Sequence, residues 1–214
     1  MKKIFATLLA ASLMLIGTQA HAQLTTGAGY FFASEKTGNS DAVAHHGFYL
    51  GASYNIPIVA GLGVAPGLYL DMLAYGKSAA NGGSMASYYV AGSYREFAVN
   101  VPINVNYKLN LGHNAAFLVY AGPTFQVGIA STTTVTGEVT ILGYKVSDGG
   151  KYNHYDADKG DRNRFNMSVG GGIGFEVGDI LFTVGYDRSL LNYSKSDNYT
   201  TGRNMIKAGI NFVF

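Results

Sequence analysis

The sequence contains no cysteine and no tryptophan, has only four prolines, and carries charge on just 13% of its 214 residues. Without cysteine there is no disulfide framework, and a lipid-modified signal is excluded, so an exported domain must hold together by other means. With no basic stripe, nucleic acid is excluded as a partner. Long apolar runs are missing after the N-terminus, so no later segment of ~20 apolar residues can span a bilayer as a helix. Helical periodicity is also missing: no stretch after residue 22 keeps a period of 3.6 for more than about two turns.

Glycine (29), tyrosine (16) and phenylalanine (12) are abundant. That composition, poor in helix formers, favours an all-β chain. The start reads differently. Met1-Lys2-Lys3, an apolar run from Ile4 to Gly17 and the small-residue site Ala20-His21-Ala22 form a secretory signal peptide over 1–22, with cleavage after Ala22. The remaining domain, 23–214, carries 13 basic and 13 acidic residues once Lys2 and Lys3 are removed, and is formally neutral.

Alternation with a period of two recurs eight times along 23–214, as expected of strands that point successive side chains to opposite faces. The strands predicted are Leu24 to Ala33, Gly47 to Ile56, Leu62 to Tyr75, Glu96 to Leu109, Phe117 to Ile129, Phe165 to Val177, Ile180 to about Ser189, and Arg203 to Phe214. In the fourth, Phe97, Val99, Val101, Ile103, Val105, Tyr107 and Leu109 alternate without a break with Glu96, Ala98, Asn100, Pro102, Asn104, Asn106 and Lys108. Connections after the second, fourth and sixth strands are short: Pro57–Gly61, Asn110–Asn114 and Gly178–Asp179. Those after the others are long and polar: Ser34–His46, Gly76–Arg95, Ala130–Arg164 and Asn192–Gly202. Short turns at one end and long loops at the other belong to an up-and-down outer-membrane barrel, whereas the Greek-key connections of a soluble sandwich would not sort this way. The fold class expected is therefore all-β: an eight-stranded antiparallel up-and-down transmembrane β-barrel. Within the longest connection, Thr132 to Tyr144 reads as a hairpin turning at Gly137-Glu138 and rising beyond the membrane, or alternatively as two more wall strands. Bulges are expected at Pro66, Pro102 and Pro123, because each proline removes a ladder hydrogen bond.

The charges sort with the faces. Asp71, Glu96, Lys108, Glu176, Asp187, Arg203 and Lys207 all fall on the polar face, which in a barrel looks into the lumen. A buried charge must be paired, so Arg203 and Lys207 are expected to meet Glu96, Glu176, Asp71 or Asp187. Arg188 falls on the apolar face, near the outer end of its strand, where it can snorkel to headgroups. Phe31, Tyr49, Tyr69, Tyr75 and Tyr120 are expected inside, with inward glycines making room for them. Tyr54, Tyr107, Phe212 and Phe214 form one interfacial girdle, and Phe32, Phe48 and Phe97 the other.

The domain resembles the small outer-membrane β-barrel family of the Bacteroidetes type, labelled PorT-like or "porin family". The residues that carry the resemblance are Gly47-Phe-Tyr-Leu-Gly51, Leu62-Gly-Val-Ala-Pro-Gly-Leu68, Val99-Asn-Val-Pro-Ile-Asn-Val-Asn-Tyr107, Gly122-Pro123 and Gly170-Gly-Gly-Ile-Gly174. The resemblance implies an outer-membrane address and no assigned chemistry. The last strand, ending Phe212-Val213-Phe214, likewise resembles the C-terminal signal read by the barrel-assembly machinery.

Candidate chemistry is sparse. Gly170–Gly174 lies inside an alternating strand with no helix after it, so it reads as close backbone packing and not as a phosphate loop. Gly76-Lys77-Ser78 ends like a phosphate loop, but Asp71 stands where that motif needs its first glycine. His45, His46 and His154 lie in predicted loops near serines and aspartates, where a hydrolase can be imagined but no spacing fixes its geometry. Asp156, Asp158 and Asp161 form a weak divalent-cation candidate that lacks the calcium-loop spacing. No cofactor and no catalytic group is expected. The leading function is a non-enzymatic structural or surface-interaction protein with a packed polar lumen, in contact with outer-membrane lipid and lipopolysaccharide, and monomeric. The alternatives are a narrow porin-like channel for small solutes and an outer-membrane lipid-modifying enzyme. Deleting Phe214 should impair assembly; normal surface insertion of the shortened chain, measured by heat-modifiable migration of membrane fractions, would refute its signalling role.

Overall fold

The computed structural model describes residues 23–82, 86–141 and 144–214, so the signal peptide and cleavage after Ala22 expected from the sequence lie outside the described residues. Nine strands follow one another: β1 (Gln23–Thr37), β2 (Val43–Val59), β3 (Leu62–Gly82), β4 (Ala86–Gly112), β5 (Ala115–Ile141), β6 (Tyr144–Asn153), β7 (Phe165–Val177), β8 (Ile180–Ser189) and β9 (Thr201–Val213). Every pairing is antiparallel. Eight of the strands close a ring, β1-β2-β3-β4-β5-β7-β8-β9, with β9 returning to β1 from Thr25↔Val213 to Thr37↔Thr201. Closure is what a bilayer demands, because no water is available there to satisfy an open sheet edge.

At one end β2–β3, β4–β5 and β7–β8 are joined by two-residue turns, Ala60-Gly61, His113-Asn114 and Gly178-Asp179. Positive φ at Ala60, Gly61, His113, Asn114 and Gly178 gives these turns the twist a two-residue hairpin needs. By the usual orientation of such barrels this is the periplasmic end.

The ring strands outgrow the expected segments. About 10 tilted residues cross the ~25 Å apolar band, yet β4 and β5 each run 27 residues. Most of the stretch Gly76–Arg95, expected as a loop, is instead the upper part of β3 and β4, with continuous pairing from Ala74↔Arg95 to Gly82↔Ser87. Upper β5 pairs with β4 on one side and β6 on the other. Gly137 and Glu138 therefore lie in mid-strand, opposite Val90 and Tyr89, and are not the hairpin turn. β6 adds to β5 alone, so the wall has eight strands and not ten; β3 to β6 form a four-stranded sheet projecting beyond the barrel.

The expected proline bulges do not occur. Register is kept across Pro66, Pro102 and Pro123; the ladder instead skips two rungs, between Pro66↔Ile103 and Tyr69↔Asn100 and between Pro102↔Thr124 and Val105↔Ala121. Losing an N–H opens a rung without requiring an extra residue. The register shifts lie elsewhere, between Pro57 and Val59, Phe97 and Ala98, and Asn110 and Gly112. The second places Ile129 as an extra residue in β5, since Phe97 faces Ala130 while Ala98 faces Gly128. Beyond Ile129 the odd residues of β5 turn inward.

Face sorting holds around the ring. Leu50, Leu68, Val105, Val119, Ile173, Val184 and Ile210 are exposed on the outer wall, whereas Asp71, Asn100, Gln126, Asn166 and Asn211 are buried in the lumen. Arg188 is outward and exposed near the far end of β8, opposite Asn204. The inner aromatics rest on glycines. A Cβ at Gly47 would collide with the Phe31 ring, and one at Gly172 or Gly185 would meet the Tyr120 hydroxyl. A charge on the outer wall at mid-depth should be costly. Val184→Arg is expected to lose roughly 2–4 kcal/mol, read as a lowered urea midpoint in lipid vesicles; an unchanged midpoint would place Val184 away from lipid.

Candidate functional site

The lumen is divided into two unlike halves. Towards the loop end an apolar cluster of Phe31, Ala33, Leu73, Tyr94 and Met205 fills the bore, with Tyr49 and Tyr75 packed against it. Directly above lies an ionic layer. Arg203, only 2% exposed, binds Glu96 with both terminal guanidinium nitrogens, Nη1 to Oε1 at 3.1 Å and Nη2 to Oε2 at 2.8 Å. It also donates to Glu35 Oε2 from Nε at 3.0 Å and from Nη2 at 2.7 Å. Glu35 is further held by Arg162, Nη1 to Oε1 at 2.7 Å and Nη2 to Oε2 at 2.8 Å. Two guanidiniums and two carboxylates make the layer neutral, and bidentate geometry is the strongest form such pairs take.

Tyrosines enclose it. Tyr193, from the β8–β9 loop, lies under both guanidiniums, 4.4 Å from Arg203 and 5.2 Å from Arg162, and its hydroxyl donates to Gln126 Oε1 at 2.6 Å. Tyr94 donates to Glu96, and Ser131 donates to Tyr94 at 2.9 Å. The rest of the cap is tied by the backbone. Asn163 N–H donates to the Tyr193 carbonyl at 2.8 Å, Lys195 N–H to Asp161 at 2.9 Å, and Arg162 bridges Ser194. Arg164 closes the seam, donating to the Ile129 and Tyr155 carbonyls.

The expected lumen charges are distributed over three layers. Arg203 meets Glu96 at the outer mouth. Lys207 meets Asp187 at 2.8 Å in mid-barrel, and Lys108 meets Glu176 at 2.7 Å near the periplasmic rim. Asp71 makes no salt bridge with any described residue, and its Oδ2 has no hydrogen-bond partner among them. Glu35 and Arg162 were not anticipated as lumen residues. Glu35 continues the alternation of Phe31 and Ala33, so extending β1 by two residues would have found it. Arg162 follows no periodicity and reaches inward only because its loop folds back.

The loop candidates separate. Asp156 Oδ1 accepts the Asp158 and Lys159 backbone N–H groups at 3.0 Å and so caps its own turn; those bonds, Lys159 first, hold its carboxyl below the usual range. Asp161 Oδ1 meets His154 Nδ1 at 2.7 Å. Among the described residues no three His, Cys, Asp or Glu side chains gather where a metal could bind. Asp156 is thus a turn cap, Asp161 a histidine partner, and Asp158 contributes only its backbone N–H. His154 Nε2 in turn lies 2.7 Å from Thr133 Oγ1, which completes a hydroxyl–imidazole–carboxylate row. Strand β5 is paired on both sides at Thr133, by Tyr94 and Tyr152, so its backbone N–H groups are taken up by the ladders and offer no oxyanion donor. The row is tied into the loop: Arg162 N–H donates to the His154 carbonyl at 3.1 Å, beside the Asp161 contact. His45 is buried between Tyr75 and Tyr94, and His46 bonds Tyr30 on the outer wall, so neither faces a nucleophile.

A model of the outer membrane protein beta-barrel domain matches residues 18–195. The chain belongs to that family. The closed eight-stranded ring and the sorted faces agree with the membership, and its place is the bacterial outer membrane. A search of curated proteins finds no match. Among solved structures the chain is similar to Ail, the attachment invasion locus protein of Yersinia pestis, seen in complex with the heparin analogue sucrose octasulfate: 14% identity, 90% of this chain and 100% of that one, TM-score 0.43. It is also similar to Neisserial surface protein A, at 10% identity over 91% and 98% of the two chains, TM-score 0.43. A third is the outer membrane enzyme PagL, at 12% identity over 86% and 98%, TM-score 0.34. At these scores the likenesses carry no argument about function.

Within this family member the ionic layer should govern stability of the outer mouth. Arg203→Met strands the buried Glu96 carboxylate, leaves Glu35 to Arg162 alone, and is expected to cost about 3–5 kcal/mol, visible as a lower unfolding midpoint in lipid vesicles. Arg162→Met should spare the barrel but release its loop, read as faster proteolytic cleavage within 154–164. Equal cleavage of variant and parent would remove Arg162 from the role of latch.

Proposed function

We propose that this outer-membrane barrel is a non-enzymatic surface-interaction protein whose projecting sheet is its contact surface. The observation that carries the reading is the polarity of that sheet. In-register rows Tyr88–Val139–Val146 and Val90–Gly137 place an apolar set on one face, with Asp148 at its β6 margin, continuous along β4 with the inward Tyr94 and Glu96. Val146 is 69% exposed and Tyr144 82%. The opposite face carries Glu138, Ser147, Thr136, Thr134, Thr140 and the cations Lys145 and Lys151, with Lys145 bonded to Glu138 at 2.9 Å. An exposed apolar face beyond the membrane marks a protein-binding surface. Both margins of the sheet are open as well: β6 pairs only with β5, and Gly76–Gly82 of β3 pairs only with β4. Open margins can accept an added strand, and Lys77, Lys145 and Lys151 on them discourage indiscriminate pairing.

The narrower PorT-like kinship, carried by Gly47–Gly51 and Val99–Tyr107, belongs to this reading. So does contact with lipopolysaccharide, for which the outward Arg95 and Arg188 at the loop end offer phosphate partners, and so does a monomeric wall in the membrane. The filled outer half of the lumen argues against a solute path, and the committed backbone at Thr133 argues against acyl chemistry.

Outer-membrane vesicles carrying equal amounts of folded parent or the Val139→Lys/Val146→Lys variant test the reading. Crosslinking to neighbouring outer-membrane proteins and binding to immobilised matrix glycoproteins are compared. The variant is expected to lose at least one interaction of the parent; identical profiles, or a steady conductance of the parent in planar bilayers, would sink it.

A further inference from the structure

Two cations on the outer wall have no carboxylate to meet. Arg188 continues the lipid-facing alternation of Phe182, Val184 and Tyr186 in β8, and Lys36 continues that of Tyr30 and Phe32 in β1; both are exposed. The carboxylates of the barrel wall, Glu35, Asp71, Glu96, Glu176 and Asp187, all lie on the lumen side. Neither Arg188 nor Lys36 makes a salt bridge with any described residue. Strand β9 brings the two together. Its rungs Asn204↔Arg188, Asn204↔Ser34 and Gly202↔Lys36 set the cations astride Asn204 and Gly202, on flanking strands about 10 Å apart.

The groups between them are donors. Tyr186 Oη donates to Asn204 Oδ1 at 3.0 Å, which takes up the amide oxygen and leaves Nδ2 as the end without a partner among the described residues. Ser34 adds a hydroxyl on the same face. At Gly202 a Cβ would meet only Ser189 Oγ, at 3.7 Å, so the wall is open above Asn204. A guanidinium, an ammonium, an amide N–H and a hydroxyl around an open position suit the oxygens of a phosphate, which accept from all four.

Height fixes which phosphate. From Phe212 to Asn204, β9 climbs roughly 20 Å along the membrane normal at ~3.4 Å per residue and a tilt of ~40°, which brings Asn204 near the outer edge of the ~25 Å apolar band. The row directly below it, Tyr186–Ile206–Phe32, is exposed and offers acyl chains an apolar surface. An anion held at this level belongs to a lipid, with its headgroup against the cations and its chains on that row.

We infer that the outer wall over β8, β9 and β1 carries a binding site for a phosphorylated lipid of the outer leaflet, with Arg188 and Lys36 as its phosphate-binding cations and Asn204 as an orienting donor. The site rests on the lipopolysaccharide contact proposed above and gives it a place. That place is across the ring from β4, and so from the projecting sheet.

The full chain refolded in detergent micelles, its folding checked by heat-modifiable migration, is titrated with diphosphoryl lipid A and with the same lipid fully dephosphorylated, and bound lipid is read by native mass spectrometry. The phosphorylated form is expected to bind about 10-fold or more tighter, and millimolar inorganic phosphate not to displace it. Arg188→Gln and Lys36→Gln should each weaken it about 10-fold, whereas Arg95→Gln, a single cation between Ala74 and Thr132 on the opposite wall, should stay within about 2-fold of the parent. If Arg188→Gln does not fold, Lys36→Gln is read in its place. Equal binding of the dephosphorylated lipid, displacement by inorganic phosphate, or as large a loss in Arg95→Gln as in Arg188→Gln would each overturn the inference. Crosslinks made by the projecting sheet should persist in Arg188→Gln, and lipid A binding in the Val139→Lys/Val146→Lys variant, so that either reading can fail without the other.

Discussion

The constraint on which the structure depends is that the hydrocarbon of a bilayer offers no water to backbone N–H and C=O groups. Each of the eight wall strands must therefore pair on both sides, and the pairing of β9 with β1 over Thr25 to Thr37 is what removes the last open edge. Once the ring is closed, its pleat dictates the rest. Alternate side chains face lipid or lumen, apolar ones outside and polar ones inside. Irregularities are confined to what the ladder tolerates: skipped rungs beside Pro66, Pro102 and Pro123, one inserted residue at Ile129 within the wall, and one each at Ile58 and Leu111 beside the turns. Above the membrane the constraint lapses, and there β6 and upper β3 keep open edges.

Closure also creates the interior problem. A ring of eight strands encloses a bore about wide enough for side chains, and charges placed in it need partners. The outer half solves this with a neutral layer of two arginines and two glutamates over an apolar plug. One arginine comes from a loop, 127 residues along the chain from the Glu35 it binds. The periplasmic half is solved less completely: two ion pairs stand in a polar cup while Asp71 and Asn100 keep unmet atoms. The two halves thus differ in kind. One is filled and shut, and the other encloses a polar cavity.

How far a local pattern reaches explains which residues could be read in advance. Arg203, Glu96, Lys207 and Asp187 were placed in the lumen because each lies within an unbroken alternation. Glu35 was lost by ending β1 at Ala33, since the polar composition of residues 34 to 46 resembles a loop while the pairing with β2 and β9 continues to Glu35 and Thr37. Gly137-Glu138 has the composition of a turn, but two flanking strands hold it extended. The Ile129 bulge inverts the faces of upper β5, and nothing in Val127-Gly128-Ile129-Ala130 announces it; the mismatch is defined only against β4.

By itself the sequence determined the all-β class, the eight wall strands, the end that carries short turns and the face on which each regular position lies. Those follow from a period of two and from turn chemistry, both of which act over a few residues. Tertiary structure alone decided that β3 to β6 continue as a projecting amphipathic sheet, that Arg162 and Tyr193 fold into the outer mouth, and that Asp71 is left without an ion partner. These depend on which distant segments meet once the cylinder closes, and local alternation carries no information about such meetings.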